Sequence, residues 1–206
     1  MVRTDPDNRF LKKNSKWHET CINHCWENKT MRKHSGFTVV ELLVVIALIG
    51  TIAAIAVPNF ISWLPNYRLR SAADDLYSNF QIVKLGAIKN NNNWAIVFNE
   101  GADSYTLISD YGGTNTTEKT VVLSSYKSGV GFGNGNATQD IPVNGFPNGM
   151  VSYTSPNDTA VFNPQGLTTT LGYVYLSNDQ GAARAVGTPF LAGAIVSREW
   201  RGASWQ

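Results

Sequence analysis

The chain has 206 residues, room for one domain with appendages, and a formal net charge of +2 that is unevenly placed. Residues 1–36 hold eight Lys/Arg against four Asp/Glu, a net of +4, and residues 37–206 hold nine against eleven, a net of −2. The basic excess is therefore no argument for nucleic-acid binding by the larger part. Both cysteines and all three histidines precede Gly36. From residue 37 onward this excludes a disulfide framework, thiolate nucleophiles, imidazole proton transfer and the softer metal ligands, and it argues against an enzyme.

In chain order, the first cluster is His18, Cys21, His24 and Cys25. Four potential zinc ligands lie close together, but the paired ligands lack the intervening loop of the common zinc fingers. The cluster reads as part of an N-terminal extension rather than a metal site, and no cofactor is expected. A basic stretch follows (Arg32, Lys33, His34), then Gly36, then an apolar run that begins at Phe37. Apart from Gly50 and Thr51 the run holds to Val57 with one charge, Glu41. A carboxylate there costs about 2.5–3.5 kcal/mol on insertion scales, which makes it a functional candidate. Taken as helix, Phe37 to Ile61 spans roughly 37 Å, enough for a hydrocarbon core of about 30 Å. Pro58 is expected to kink this helix and Pro65 to break it again. Tyr67, Arg68 and Arg70 suit a membrane interface.

The Lys33-His-Ser-Gly-Phe37 junction, Glu41 five residues into the chain that would follow it, and the apolar run resemble the processing site of type IV prepilins and type II secretion pseudopilins. The resemblance implies that a prepilin peptidase cuts after Gly36 and methylates the amine of Phe37, and that Glu41 guides assembly. In the family's filament Glu41 would pair with a neighbouring subunit's N-terminal amine; a contact within one helix, between Phe37 and Glu41, is the alternative. Cleavage lies before the apolar segment, so the segment stays with the mature chain, unlike a secretory signal. Met31 gives a six-residue leader (31–36), with 1–30 as upstream extension. The basic leader predicts a cytoplasmic N-terminus. Implied partners are other pilins or pseudopilins through the N-terminal helix, the peptidase and the bacterial inner membrane.

Leu69, Ala72 or Ala73, Leu76, Phe80, Val83 and Ala87 recur at three- and four-residue spacing, the apolar stripe of an amphipathic helix, read as packing on the chain's own sheet. Four asparagines, Asn90–Asn93, end it. Period 2 then takes over. Trp94–Phe98 and Tyr105–Ser109 read as strands joined by a turn around Asn99–Asp103. Thr120–Tyr126, Val151–Tyr153, Thr159–Phe162, Gly172–Leu176 and Ala192–Val196 are further strands. The alternating glycines Gly129 to Gly135 precede no helical pattern and read as a flexible loop, not a phosphate cradle. The expected fold class is α+β, pilin-like: a long N-terminal helix, membrane-spanning in its first half, packed on antiparallel sheet. The expected divisions are leader and extension (1–36), membrane and assembly helix (37–62), amphipathic helix (63–93) and a β-rich periplasmic domain (94–206).

Phe162-Asn-Pro-Gln-Gly166, followed by a strand, is similar to a stretch of the minor pilin and pseudopilin H subgroup. The alanine-rich run Ala182–Val186 departs from that subgroup, where a more strand-like stretch is expected. The subgroup implies a minor pseudopilin of a type II protein secretion system, a structural subunit of a short periplasmic pseudopilus. The alternative is a type IV minor pilin that aids pilus assembly or binds a ligand or DNA. Only in that alternative is nucleic acid a partner, through Arg198, Trp200 and Arg201, where cations alternate with stacking surface. An ordinary edge strand and tail is the preferred reading of these residues.

Overall fold

The computed structural model describes residues 36–141, 149–153 and 158–206. The leader residues 31–35 and the cluster His18, Cys21, His24 and Cys25 lie outside the described residues. Met1–Thr51 and Ile52–Gln206 form two compact units.

Among the described residues one α-helix, α1, runs from Val39 to Asn90. It continues through both Pro58 and Pro65, so the break expected at Pro65 is absent. Pro65 is instead buried at the start of the packed part of the helix. From Phe37 to Trp63 the large apolar side chains are exposed; Leu69, Ala72, Ala73, Leu76, Phe80, Val83 and Ala87 are all buried. The stripe read from the 3.6-residue period is thus the face that packs. Asn91, at φ 51°, ends the helix in the left-handed region that Asn tolerates.

Among the described residues eight strands follow: β1 Trp94–Asn99, β2 Ser104–Ser109, β3 Thr116–Val122, β4 Gly131–Phe132, β5 Thr159–Phe162, β6 Gly172–Ser177, β7 Ala183–Phe190 and β8 Ala194–Glu199. They form two four-stranded sheets in the orders β3-β2-β1-β5 and β4-β6-β7-β8. All pairings between the strands are antiparallel. The α1 stripe packs against inward residues of both sheets, among them Ile96, Phe98, Leu107, Phe162, Val174, Leu176 and Val186. Phe80 sits at the centre, with ring centroids 6.1 Å from Phe98, 6.4 Å from Tyr153 and 6.3 Å from Phe162.

Several expected strands are corrected. Thr120–Tyr126 is the end of β3 followed by a 3-10 turn at Leu123–Tyr126. The strand starts earlier, at Thr116, because Thr-Thr-Glu-Lys-Thr is an exposed edge whose polar residues show no alternation. Val151–Tyr153 contributes only an isolated bridge, Val151 to Val174. The last strand begins at Ala194 rather than Ala192, after a turn in which Gly193 donates to the Phe190 carbonyl at 3.1 Å. The glycine-rich segment holds a short strand, β4, paired with Leu176 and Ser177. Its amides serve the fold: Phe132 N–H donates to Asp103 Oδ1 at 2.8 Å and Gly133 N–H to the Tyr175 carbonyl at 3.0 Å. The alanine-rich run is strand after all, and β7 is the longest of the eight. Its small residues make room for large neighbours. Ala185 packs with Tyr173 and Tyr175, and Ala183 with Trp200. A Cβ on Gly187 would strike the Gly172 carbonyl and come within 2.7 Å of Tyr173 Cα.

Polar groups at the helix–sheet boundary fix where the folded part begins. Asn178 Nδ2 donates to Asn66 Oδ1 at 2.9 Å, and an Arg68 guanidinium N–H donates to Ser128 Oγ at 2.6 Å. A chain starting near Pro65 is therefore expected to fold as a soluble, mostly β monomer, whereas a start at Leu69 discards both bonds. Circular dichroism and gel filtration of the two chains check this. Aggregation of both would mean that the stripe is an assembly surface.

Buried phenols give the domain an alkaline limit. Asn79 Nδ2 donates to the Tyr105 hydroxyl at 2.8 Å. Burial pushes the Tyr105 phenol up to about 12, against the opposing Asn79 bond. Burial likewise raises Tyr153, whose hydroxyl accepts from Thr188 N–H at 3.0 Å. A folded pKa above the unfolded value means that the stabilisation is complete below about pH 10 and is lost as pH rises towards 12. Tyrosinate absorbance of the chain is expected to lag that of the denatured chain above pH 10, then to rise with unfolding. Titration of all eight tyrosines together at the ordinary value would contradict it.

Candidate functional site

The start of α1 is the first candidate. Gly36 and Phe37 precede the helix, and Phe37 is 79% exposed. Thr38 occupies the N-cap position. Glu41 N–H donates to Thr38 Oγ1 at 3.2 Å, and Leu42 N–H donates to the Thr38 carbonyl at 3.1 Å. Thr-Val-Val-Glu is the S/T-x-x-E pattern of a capping box, a signal contiguous in the sequence. The carboxylate lies in the first turn, where the helix dipole favours a negative group. Because Phe37 precedes the cap, a Phe37–Glu41 pair is not a contact between two helical residues. Among the described residues, the Glu41 carboxylate forms no ion pair. The helix is long and apolar enough to cross a membrane, and its apolar window has no part buried.

Residues 31–57 match the family described as the prokaryotic N-terminal methylation motif. This is a prepilin-type N-terminus. The match spans Gly36, Phe37, Glu41 and the apolar run up to the residue before Pro58. The prepilin-type segment is also similar to the type IV major pilin protein PilA of Myxococcus xanthus (strain DK1622), 43% identical over 44 residues. That alignment covers 21% of this chain and 20% of the relative, so the chain matches about a fifth of that protein's length. A crystal structure of the Pseudomonas aeruginosa (strain PAO1) type IV minor pilin FimU is similar with a TM-score of 0.43 and 10% identity, over 66% of this chain and 96% of that one.

The second candidate is the C-terminal cluster, and its three residues do not share one patch. Trp200 is only 9% exposed, packed on Ala137 and Ala183 and edge-on to Trp205 at 5.4 Å. It offers no free face for a base to stack on. An Arg201 guanidinium nitrogen lies 3.6 Å from Glu199 Oε2, which also receives Arg184 at 3.2 Å. Arg198 lies on the edge strand β8, opposite Ala185, and lines a cleft of about 660 Å³ on the outer face of the second sheet. Its Nε is buried and has no hydrogen-bond partner among the described residues. The same cleft is lined by Tyr173, Ile141, Phe190 and Trp205, which sequence reading did not bring together. No group of three or more His, Cys, Asp or Glu that could hold a metal occurs among the described residues.

The Phe162–Gly166 motif is a turn rather than a binding loop. Phe162 is buried in the core. Asn163 Oδ1 accepts from Gln165 and Leu167 N–H, each at 3.0 Å. Gly166 sits at φ 74°, where a side chain is strained.

Proposed function

We propose that this chain is a minor filament subunit of pilin type, processed after Gly36, methylated at Phe37 and anchored in the bacterial inner membrane by the first part of α1, with its β-rich part in the periplasm. The single observation that carries the reading is the coincidence of the methylation motif with an apolar helical stretch whose large side chains are exposed among the described residues. Such a stretch needs lipid before assembly and other helices after it. Glu41, costly in lipid, is relieved when a neighbouring subunit's N-terminal amine reaches it. That pair forms at one stagger of two helices, so it sets register more than it adds stability. Within this reading we favour a pseudopilin of a type II secretion system, on the Phe162–Gly166 turn. A type IV minor pilin with a ligand is the second reading, favoured by the Arg198 cleft.

Processing provides the test. Intact mass from membranes is expected to give a chain beginning at N-methylated Phe37 when the peptidase is present, and the precursor when it is absent. A chain retaining Ser35 and Gly36 in peptidase-positive cells would overturn the reading. Deleting the gene then separates the two systems: loss of protein secretion marks the pseudopilin, loss of pili the minor pilin.

A further inference from the structure

The outer face of the second sheet is built unlike a solvent-facing surface. Tyr173 and Tyr175 of β6 stand on it beside Ala185, with Ile141 over them. The tail returns across it: Trp205 lies 5.4 Å from Tyr175 and from Trp200, and its indole N–H donates to the Gln139 carbonyl at 2.7 Å. Ile141 N–H donates to the Tyr175 hydroxyl at 3.1 Å. Loop and tail are thus bound to the sheet and to each other, and they leave the cleft of about 660 Å³ between them. That size lies within the range of about 300–1,000 Å³ common for small-ligand sites.

Among the described residues two charges line the cleft, Arg198 and Asp140. Among the described residues neither side chain forms an ion pair or hydrogen bond, and Arg198 Nε is shut off from water without an acceptor. The Nε itself is closed off, but the guanidinium lines the cleft without a carboxylate partner, so an anionic oxygen in the cleft would meet a held cation. A polyanion fits poorly, because one arginine is offset by one carboxylate and a nucleic-acid groove needs a row of cations. The complement of a cation, an anion and aromatic walls is a small zwitterion with an apolar body.

We propose that this cleft binds the free termini of an aromatic amino acid or short apolar peptide, carboxylate to Arg198, ammonium to Asp140, and side chains against Tyr173, Phe190 and Trp205. The site does not depend on the filament reading. Calorimetric titration of the detergent-solubilised full chain with L-phenylalanyl-L-phenylalanine tests it. Saturable binding of millimolar strength or better is expected. The C-terminal amide of the dipeptide and the Arg198→Gln variant should each bind about tenfold more weakly, and the amide should lose little further on Arg198→Gln. N-acetyl dipeptide and Asp140→Asn should behave as the matching pair. The modified dipeptides are read on the unaltered chain, so the test stands if a variant does not fold. Absence of dipeptide binding, equal binding of the amide, or Arg198-dependent binding of a thymidine oligonucleotide in place of the dipeptide would each overturn the proposal.

Discussion

Replacing Glu41 by Gln is expected to remove this chain from the fibre while leaving its membrane insertion and processing intact. Insertion should be unharmed or improved, since a carboxylate in the apolar segment is lost. Cleavage should persist, since the proposed peptidase signal centres on Gly36. Assembly should fall on the order of a hundredfold or more, because an N-terminal amine would be buried without its carboxylate partner. Gln separates charge from local structure: the backbone N–H of residue 41 still donates to Thr38 Oγ1, and Gln is a good capping-box residue. Thr38→Ala is the converse variant. It removes the cap at a cost of about 1 kcal/mol but keeps the charge, so its effect on assembly should be small. Crosslinks to neighbouring subunits at one position near Phe37 and another near Val57 read the outcome and tell a shifted helix from an absent one. Incorporation of Glu41→Gln at the level of the unaltered chain would show that the carboxylate does not set register.

Phe80→Ala is expected to cost about 3–5 kcal/mol, the usual toll for emptying a fully buried phenylalanine site. The ring has no exposed surface and touches aromatic rings from both β1 and β5. Those partners stand on strands and cannot collapse into the space. Leu85→Ala, five residues on and 61% exposed, should change stability by no more than about 0.5 kcal/mol. Denaturant unfolding of the chain starting near Pro65 checks both. Equal costs would mean that the burial read from α1 is not that of the domain in solution.

The helix and its packed face were legible because a 3.6-residue apolar period over Leu69–Ala87 has few competing explanations. Strand β2 was legible for the same reason at period 2, and β1 and β5 as short runs rich in apolar residues bounded by turn residues. β7 was not, because Ala-Arg-Ala-Val-Gly-Thr-Pro-Phe is poor in the residues that favour strands; its small side chains answer to tyrosines and a tryptophan from other segments. β3 was misplaced because an exposed edge shows no alternation. The prepilin-type junction was legible as a contiguous motif. The cap at Thr38 was equally contiguous and was outweighed by the oddity of the Glu41 charge. The Arg198 cleft had no sequence signal, since its lining comes from residues as far apart as Ile141, Tyr173 and Trp205.

The hydrophobic core joins Leu69 to Val186, and this imposes an order of events on the nascent chain. At synthesis rates of about 5–20 residues per second, Val186 emerges roughly 5–20 s after Ala87. During that interval only the first sheet, complete once Phe162 has emerged, is available to cover the stripe of α1, and β6 waits for its neighbour β7. Loop closure over such a separation is slow, so local hairpins form before the core does. The chain consequently passes through a stage in which the part of the α1 stripe that the second sheet will cover is still bare.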